Sequence, residues 1–273
     1  MGFSQVNLAL FRRHFLTPTR LNAMAKTVAV LQSNYIPWKG YFDIINAGDE
    51  FILYDDCQFT KNDWRNRNKI RVPQGTMWLT IPVRTSGRLE QHICLTEVAD
   101  GRWARKHWQS ILISYAKAPF FAKLGPVLHR CYETAAGLTL LSRINHLFIH
   151  TICELLGIDT VISWSTDYRL SEIEPSSKVL ELCRQAGATV YLSGPSARAY
   201  LDERAFAAAG IEVRWMDYSG YAQRPYRQVF EPCIHEVSVI DLLLNAGPEG
   251  AREVMLTFAD SALGSPAAAR VAE

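Results

Sequence analysis

The sequence predicts an α/β protein on a mainly parallel, Rossmann-like sheet, with a hairpin and a helical subdomain inserted into it. Three observations carry that expectation. A β-branched apolar run at 27–31 is followed by the helical pattern "YFDIINAGD" and a second apolar run, "EFILYDD". The alternation returns after residue 155 as "DTVISWS", "SSKVLELCRQAG", "ATVYLSG", "ARAYLDERAFAAAG" and "IEVRW". Between the two sets lie extended runs and helical patterns without that rhythm, so one interrupted sheet accounts for the order more simply than two unrelated domains.

The first strand runs into the loop 32–40, and the helix after it is expected to stop near Gly48. A right-handed βαβ unit brings the carboxyl ends of its two strands to one edge, where open α/β sheets bind ligands. Gln32, Asn34, Tyr35, Trp38 and Lys39 are therefore expected to converge with Asp55 and Asp56 on one crevice. Residues 68–84, "NKIRVPQGTMWLTIPVR", read as a hairpin with a longer loop around Pro73-Gln74-Gly75. Trp103, Trp108, Ile111, Leu112 and Tyr115 fall on one helical face. Leu140, Leu141, Ile144, Leu147, Phe148, Ile152 and Leu155 do the same on a longer helix stopped by Gly157. The expected organisation is an amino-terminal extension over 1–25, a single domain over 26–260 with its insertion at about 60–155, and a flexible tail over 261–273.

Composition narrows the function. With 273 residues, 48% of them hydrophobic, the chain can bury a sizeable core. A net charge of +2 is too small for a protein built to neutralise DNA. No run reaches the roughly eighteen apolar residues of a membrane span. The six cysteines stand at wide, unequal intervals without a C-x-x-C pair, which reads as reduced thiols in a cytoplasmic protein. The first 23 residues hold three arginines and no acid, and Met24 opens "MAKTVAVLQ", so they read as an extension ahead of an alternative start.

The densest polar cluster is "YDDCQFTKNDWRNRNKIR", residues 54–71, with Lys61, Arg65, Asn66, Arg67, Lys69 and Arg71 around Trp64. Guanidinium forks, an ammonium and an indole together suit an anion attached to a ring. The plainer alternative is a solvated hairpin whose acids and bases pair with each other. Asp55 and Asp56 are adjacent and point to opposite sides, so at most one enters the crevice, as a base or a metal ligand, and the other caps a turn. Lys39 is a candidate for phosphate or oxyanion stabilisation, and Trp38 for a ligand platform or a packing anchor. Ser193 and Gly194 end a strand just before an expected helix, whose free N–H groups would suit an anion. His146 and His150 share a helical face without the glutamate of H-E-x-x-H, so an interhelical role is expected and no metal site is assigned. The P-loop, dinucleotide and α/β-hydrolase signatures are absent.

With these residues laid out, the chain resembles the WbqC-like protein family through "LQSNYIPWKGYFDIIN", "DEFILYDDCQFTKNDWRNRNKIR" leading to "WLTIPV", then "ELLGIDT", "YLSGPSARAYLD", "GIEVRW" and "VSVIDLLLNAG". The resemblance implies a bacterial setting among genes for O-antigen and other surface-polysaccharide synthesis. It gives a setting more than a reaction; taken with the polar cluster at the expected strand edge, that setting points to a transferase that modifies a nucleotide-linked amino sugar by acyl or aminoacyl transfer. Lys39, Asp55 and Asp56 are the catalytic candidates; Gln32, Asn34, Tyr35, Trp38, Lys61, Trp64, Arg65, Asn66, Arg67, Ser193 and Gly194 are the substrate-binding ones. No cofactor is strongly implied, with ATP or an acyl or aminoacyl donor left open; the expected partner is a small-molecule nucleotide sugar, with association with polysaccharide-synthesis enzymes left open as well. The opening strand, loop and helix also look like a nucleotidylyltransferase domain, without its histidine pair. That likeness keeps an ATP-dependent amino acid ligase open, and a non-catalytic partner of a synthesis complex is the third reading.

Overall fold

The computed structural model describes residues 25–170 and 174–258. The expected extension, apart from Ala25, and the expected tail lie outside the described residues. Five strands, β1 (Thr27–Leu31), β2 (Glu50–Leu53), β5 (Val161–Trp164), β6 (Val190–Ser193) and β7 (Glu212–Trp215), form one parallel sheet. Two more, β3 (Arg67–Val72) and β4 (Gly75–Thr80), form a separate antiparallel hairpin. Seven helices join them among the described residues: α1 (Lys39–Asn46), α2 (Arg102–Tyr115), α3 (Phe121–Ala136), α4 (Leu141–Leu156), α5 (Pro175–Gln185), α6 (Glu203–Ala208) and α7 (Val239–Val254). The fold is α/β and Rossmann-like, as its alternating pattern predicts.

The sheet order β5-β2-β1-β6-β7 starts at its centre, winds outward through β2 and β5, then crosses back to β6 and β7. Winding reverses between β1 and β6, the position at which open α/β sheets commonly bind ligands. Strand alternation divides the core. Val28, Val30 and Ile52 face Leu182 and Cys183 of α5 and Phe206 of α6. Ala29, Phe51 and Leu53 face the other way, into the larger cluster with α1, α4 and α7.

Between β2 and β5 the chain leaves the sheet to make the hairpin and α2, α3 and α4. The hairpin is tighter than expected, because Val72 pairs with Gly75 and leaves only Pro73 and Gln74 in the turn. Gly75 has φ +125°, a backbone state that other residues avoid, which lets the second strand begin at once. The helix expected just after Pro195 is also corrected. A 3-10 turn spans Pro195–Ala199, and α6 starts afresh where Asp202 accepts from the N–H groups of Arg204 at 3.1 Å and Ala205 at 3.3 Å. Helix α7 carries a break at Gly247, φ +73°, where the Phe120 ring lies 2.4 Å from where a side chain would begin. No helix among the described residues is long and apolar enough to cross a membrane.

Candidate functional site

Loop 32–38 leaves the end of β1 and is held from beneath. The Ser33 N–H donates to Asp55 at 2.8 Å, and the Ser142 hydroxyl of α4 donates to the other carboxylate oxygen. Burial pushes the Asp55 carboxyl above its ordinary pKa, with these hydrogen bonds opposing. Asn145 of α4 donates to Ser33 Oγ at 3.0 Å and to the Arg65 carbonyl at 2.9 Å, tying the loop to the segment before the hairpin. The Tyr35 N–H donates to the Trp64 carbonyl at 3.0 Å. Asn68 donates to the carbonyls of Tyr35 at 3.2 Å and Ile36 at 2.9 Å. Those contacts hold Ile36 at φ +37°, a state that a β-branched residue adopts only under constraint.

A third segment closes the arrangement. Ser238 N–H donates to the Lys69 carbonyl and Val239 N–H to the Pro37 carbonyl, both at 2.9 Å. Loop, hairpin and the segment before α7 thereby enclose a cleft of about 290 Å³ lined by Asn34, Pro37, Trp38, Trp64, Asn68 and Glu236. Trp38 folds back over Gly40, where an added Cβ would lie 2.4 Å from the indole, and its ring meets Tyr218 edge-on at 5.0 Å. The cleft thus has two indole walls, two carboxamides and one carboxylate.

Beside it, Lys39 is only 2% exposed. Its ammonium donates to the His235 carbonyl at 3.1 Å and sits over the rings of Tyr221 at 4.3 Å, and of Trp38 and Tyr226 at 5.9 Å. Among the described residues no carboxylate pairs with it within 4.0 Å. Burial lowers its pKa to about 8, against the raising influence of Cys233, Glu236, Asp43 and Asp241. Such an amine is a ready proton donor and, once deprotonated, a nucleophile.

The two sequence segments therefore meet, although not every candidate reaches the cleft. Tyr35 is fully buried, its hydroxyl bonded to His107 Nδ1 at 2.9 Å and Tyr132 at 2.7 Å, and it anchors the loop in the core instead. Asn66 is buried and donates to the Ile81 carbonyl at 2.8 Å. Gln32 donates to Cys57 Sγ at 2.9 Å beneath the loop. Ser193 is buried and accepts from the Tyr191 hydroxyl at 3.2 Å, and Gly194 precedes only the short 3-10 turn. Asp55 is saturated, whereas the half-buried Asp56 has one carboxylate oxygen without a partner among the described residues. Arg65 donates to the Asn34 side chain and pairs with Asp63 at 3.4 Å, while Lys61 is exposed. The self-paired hairpin reading thus holds for Arg65 alone: Lys61, Arg67 and Lys69 have no carboxylate within 4.0 Å among the described residues. Away from the cleft, His146 stacks on Trp164 at 5.0 Å and His150 pairs with Glu154 at 3.7 Å.

Sequence reasoning missed Asn68 and Glu236 in the lining, and Trp78 beside it. Strand alternation in "RNKIR" places Asn68 on the inner face, so that signal was available. Glu236 had none, since only the fold carries it across to the loop.

Comparison with known proteins agrees with the motifs. The model of the WbqC-like protein family matches residues 32–253. A Mycobacterium tuberculosis protein described as "Uncharacterized protein Rv1507c" is 47% identical over 227 residues, covering 82% of this chain and 95% of its own. No solved structure matches the chain. The matched span contains the cleft-forming loop, the hairpin and the Glu236 segment, and on it the chain belongs to the WbqC-like protein family.

Proposed function

We propose that the protein is a cytoplasmic transferase that acylates or aminoacylates the amine of a nucleotide-linked sugar for surface-polysaccharide synthesis. The composition of the cleft carries this reading. Indole faces at Trp38 and Trp64 suit the C–H faces of a sugar ring, and the carboxamide of Asn34 suits its hydroxyls, whereas that of Asn68 is spent on holding the loop. Glu236 supplies the one negative charge, which suits an ammonium before reaction and a base during it. The sugar nitrogen attacks the donor carbonyl, a C–N bond forms, the bond to the leaving group breaks, and Glu236 takes the nitrogen's proton. Lys39, beside the cleft, stabilises the developing oxyanion or protonates the leaving group. Asp55 positions the loop through Ser33, and Asp56, outside the cleft lining, is given no step.

Incubating the purified protein with free-amine nucleotide sugars and acyl or aminoacyl donors, followed by mass spectrometry, tests the proposal. An amide product whose formation falls at least tenfold in Glu236→Gln and in Lys39→Met supports it. Pyrophosphate release that requires ATP and a free amino acid would assign the ligase reaction instead. Failure of every amino-sugar nucleotide to bind or react would remove the transferase reading.

A further inference from the structure

The hairpin carries a second feature that the cleft chemistry does not use. Lys69 stands directly opposite Trp78 in the β3–β4 register and Arg67 diagonally across from it, on the face turned away from buried Asn68, Ile70 and Leu79. Trp64 joins them, its ring 5.3 Å from that of Trp78. These indoles remain 40% and 41% exposed, on a protein whose other tryptophans are all more covered. The Arg67 guanidinium lies 4.1 Å over Trp78, and the Lys69 ammonium 5.1 Å over Trp78 and 6.0 Å over Trp64. Neither cation is neutralised by a carboxylate within 4.0 Å among the described residues, and Arg67 Nε is buried without a partner there. An exposed aromatic surface with uncompensated cations on it suits a ligand that joins a planar ring to negative charge. Trp64 also lines the cleft, so this surface continues the cleft outward.

We infer that the outward face of the hairpin is the seat of a nucleoside diphosphate. The base rests on the exposed indoles of Trp64 and Trp78, the phosphates on Lys69 and Arg67, and the attached sugar reaches over Trp64 into the cleft. The inference rests on the reading that the substrate is a nucleotide-linked sugar, and it specifies where that nucleotide lies. It also separates two functions along one groove: the hairpin provides affinity for the carrier, and the cleft selects the sugar.

The test measures binding of UDP, GDP, dTDP, uridine and inorganic pyrophosphate to the full chain by calorimetry, with Trp78→Leu, Lys69→Gln and Trp38→Leu compared. Methyl glycosides of amino sugars probe the cleft separately, and circular dichroism confirms that each variant folds. A nucleoside diphosphate should bind, weaken by about tenfold in Trp78→Leu, as loss of base stacking implies, and weaken again with salt in the wild type but less in Lys69→Gln. Trp38→Leu should spare diphosphate binding and lose the glycoside. Equal binding of pyrophosphate and nucleotides, unchanged in Trp78→Leu, would overturn the inference, as would glycoside binding without any nucleotide binding. In the latter case the sugar half of the functional reading survives. Nucleotide binding through Trp78 without any amide product would support the inference while removing the transferase reading. Quenching of the indoles only by phosphatidylglycerol vesicles would overturn it in favour of a membrane-facing surface.

Discussion

Replacing Lys39 with methionine should make the protein more stable at neutral pH. The side chain is 2% exposed and its pKa falls from the ordinary 10.5 to about 8, chiefly through burial. At about 1.36 kcal/mol per pH unit, holding the proton in the fold costs about 3 kcal/mol relative to a neutral side chain. Methionine has similar length and no charge to desolvate. It forfeits the hydrogen bond to the His235 carbonyl and the cation–π contact with Tyr221, each worth about 1 kcal/mol. The expected net gain at pH 7 is therefore about 1–2 kcal/mol, or several degrees in Tm. The sign of the pH dependence is fixed. Between about 8 and 10.5 the unfolded chain keeps the lysine proton that the fold has released, so wild-type stability gains from this group as pH rises. The variant lacks that gain, and its advantage should shrink across the same window. Urea unfolding of both proteins from neutral to alkaline pH measures the difference directly. A Lys39→Met protein less stable at pH 7, or a difference flat across the window, would refute the reasoning. Loss of turnover alongside the gain in stability would identify Lys39 as a residue retained at the fold's expense.

Tyr35→Phe should lower stability by about 1–2 kcal/mol in chemical denaturation, by leaving His107 and Tyr132 short of a partner, with ligand binding in the cleft retained. His107, whose pKa burial lowers to about 4, should make the fold lose stability as pH falls from about 6.5 to 4, because there the unfolded chain binds the extra proton; His107→Gln should flatten that slope in acid titrations. Asp43→Ala leaves the Tyr221 hydroxyl, the Leu256 and Thr257 N–H groups and the Thr257 hydroxyl without their acceptor, and should cost about 3 kcal/mol or more, with faster amide exchange at 256 and 257. Gly40→Ala forces the Trp38 indole to move, and should abolish glycoside binding while preserving the circular dichroism of the fold.

Much of the fold was legible because local patterns and tertiary demands coincide. The run at 27–31 is a buried central strand and reads as one, and Gly157 ends α4 at φ +67° as its position after a long apolar stripe predicts. Helix α3 was harder to read because Gly125 and Pro126 interrupt it early, and α7 because Gly247 and Pro248 resemble a stop. The site divides in the same way. Trp38, Lys39, Trp64 and Arg65 stand out by chemistry within two short segments, and the βαβ rule brings those segments together.

The sequence by itself determined the sheet, the family and the two segments that build one side of the cleft, since these follow from periodicity and from motifs within tens of residues. Tertiary structure alone decided which side chains face the cleft. Tyr35 and Trp38 are three residues apart in one loop, yet the positive φ of Ile36 and the hold of Asn68 send one into the core and leave the other at the cleft wall. It also supplied Glu236, which no local pattern connects to residue 34, because a charge reaches a site through the path of the whole chain.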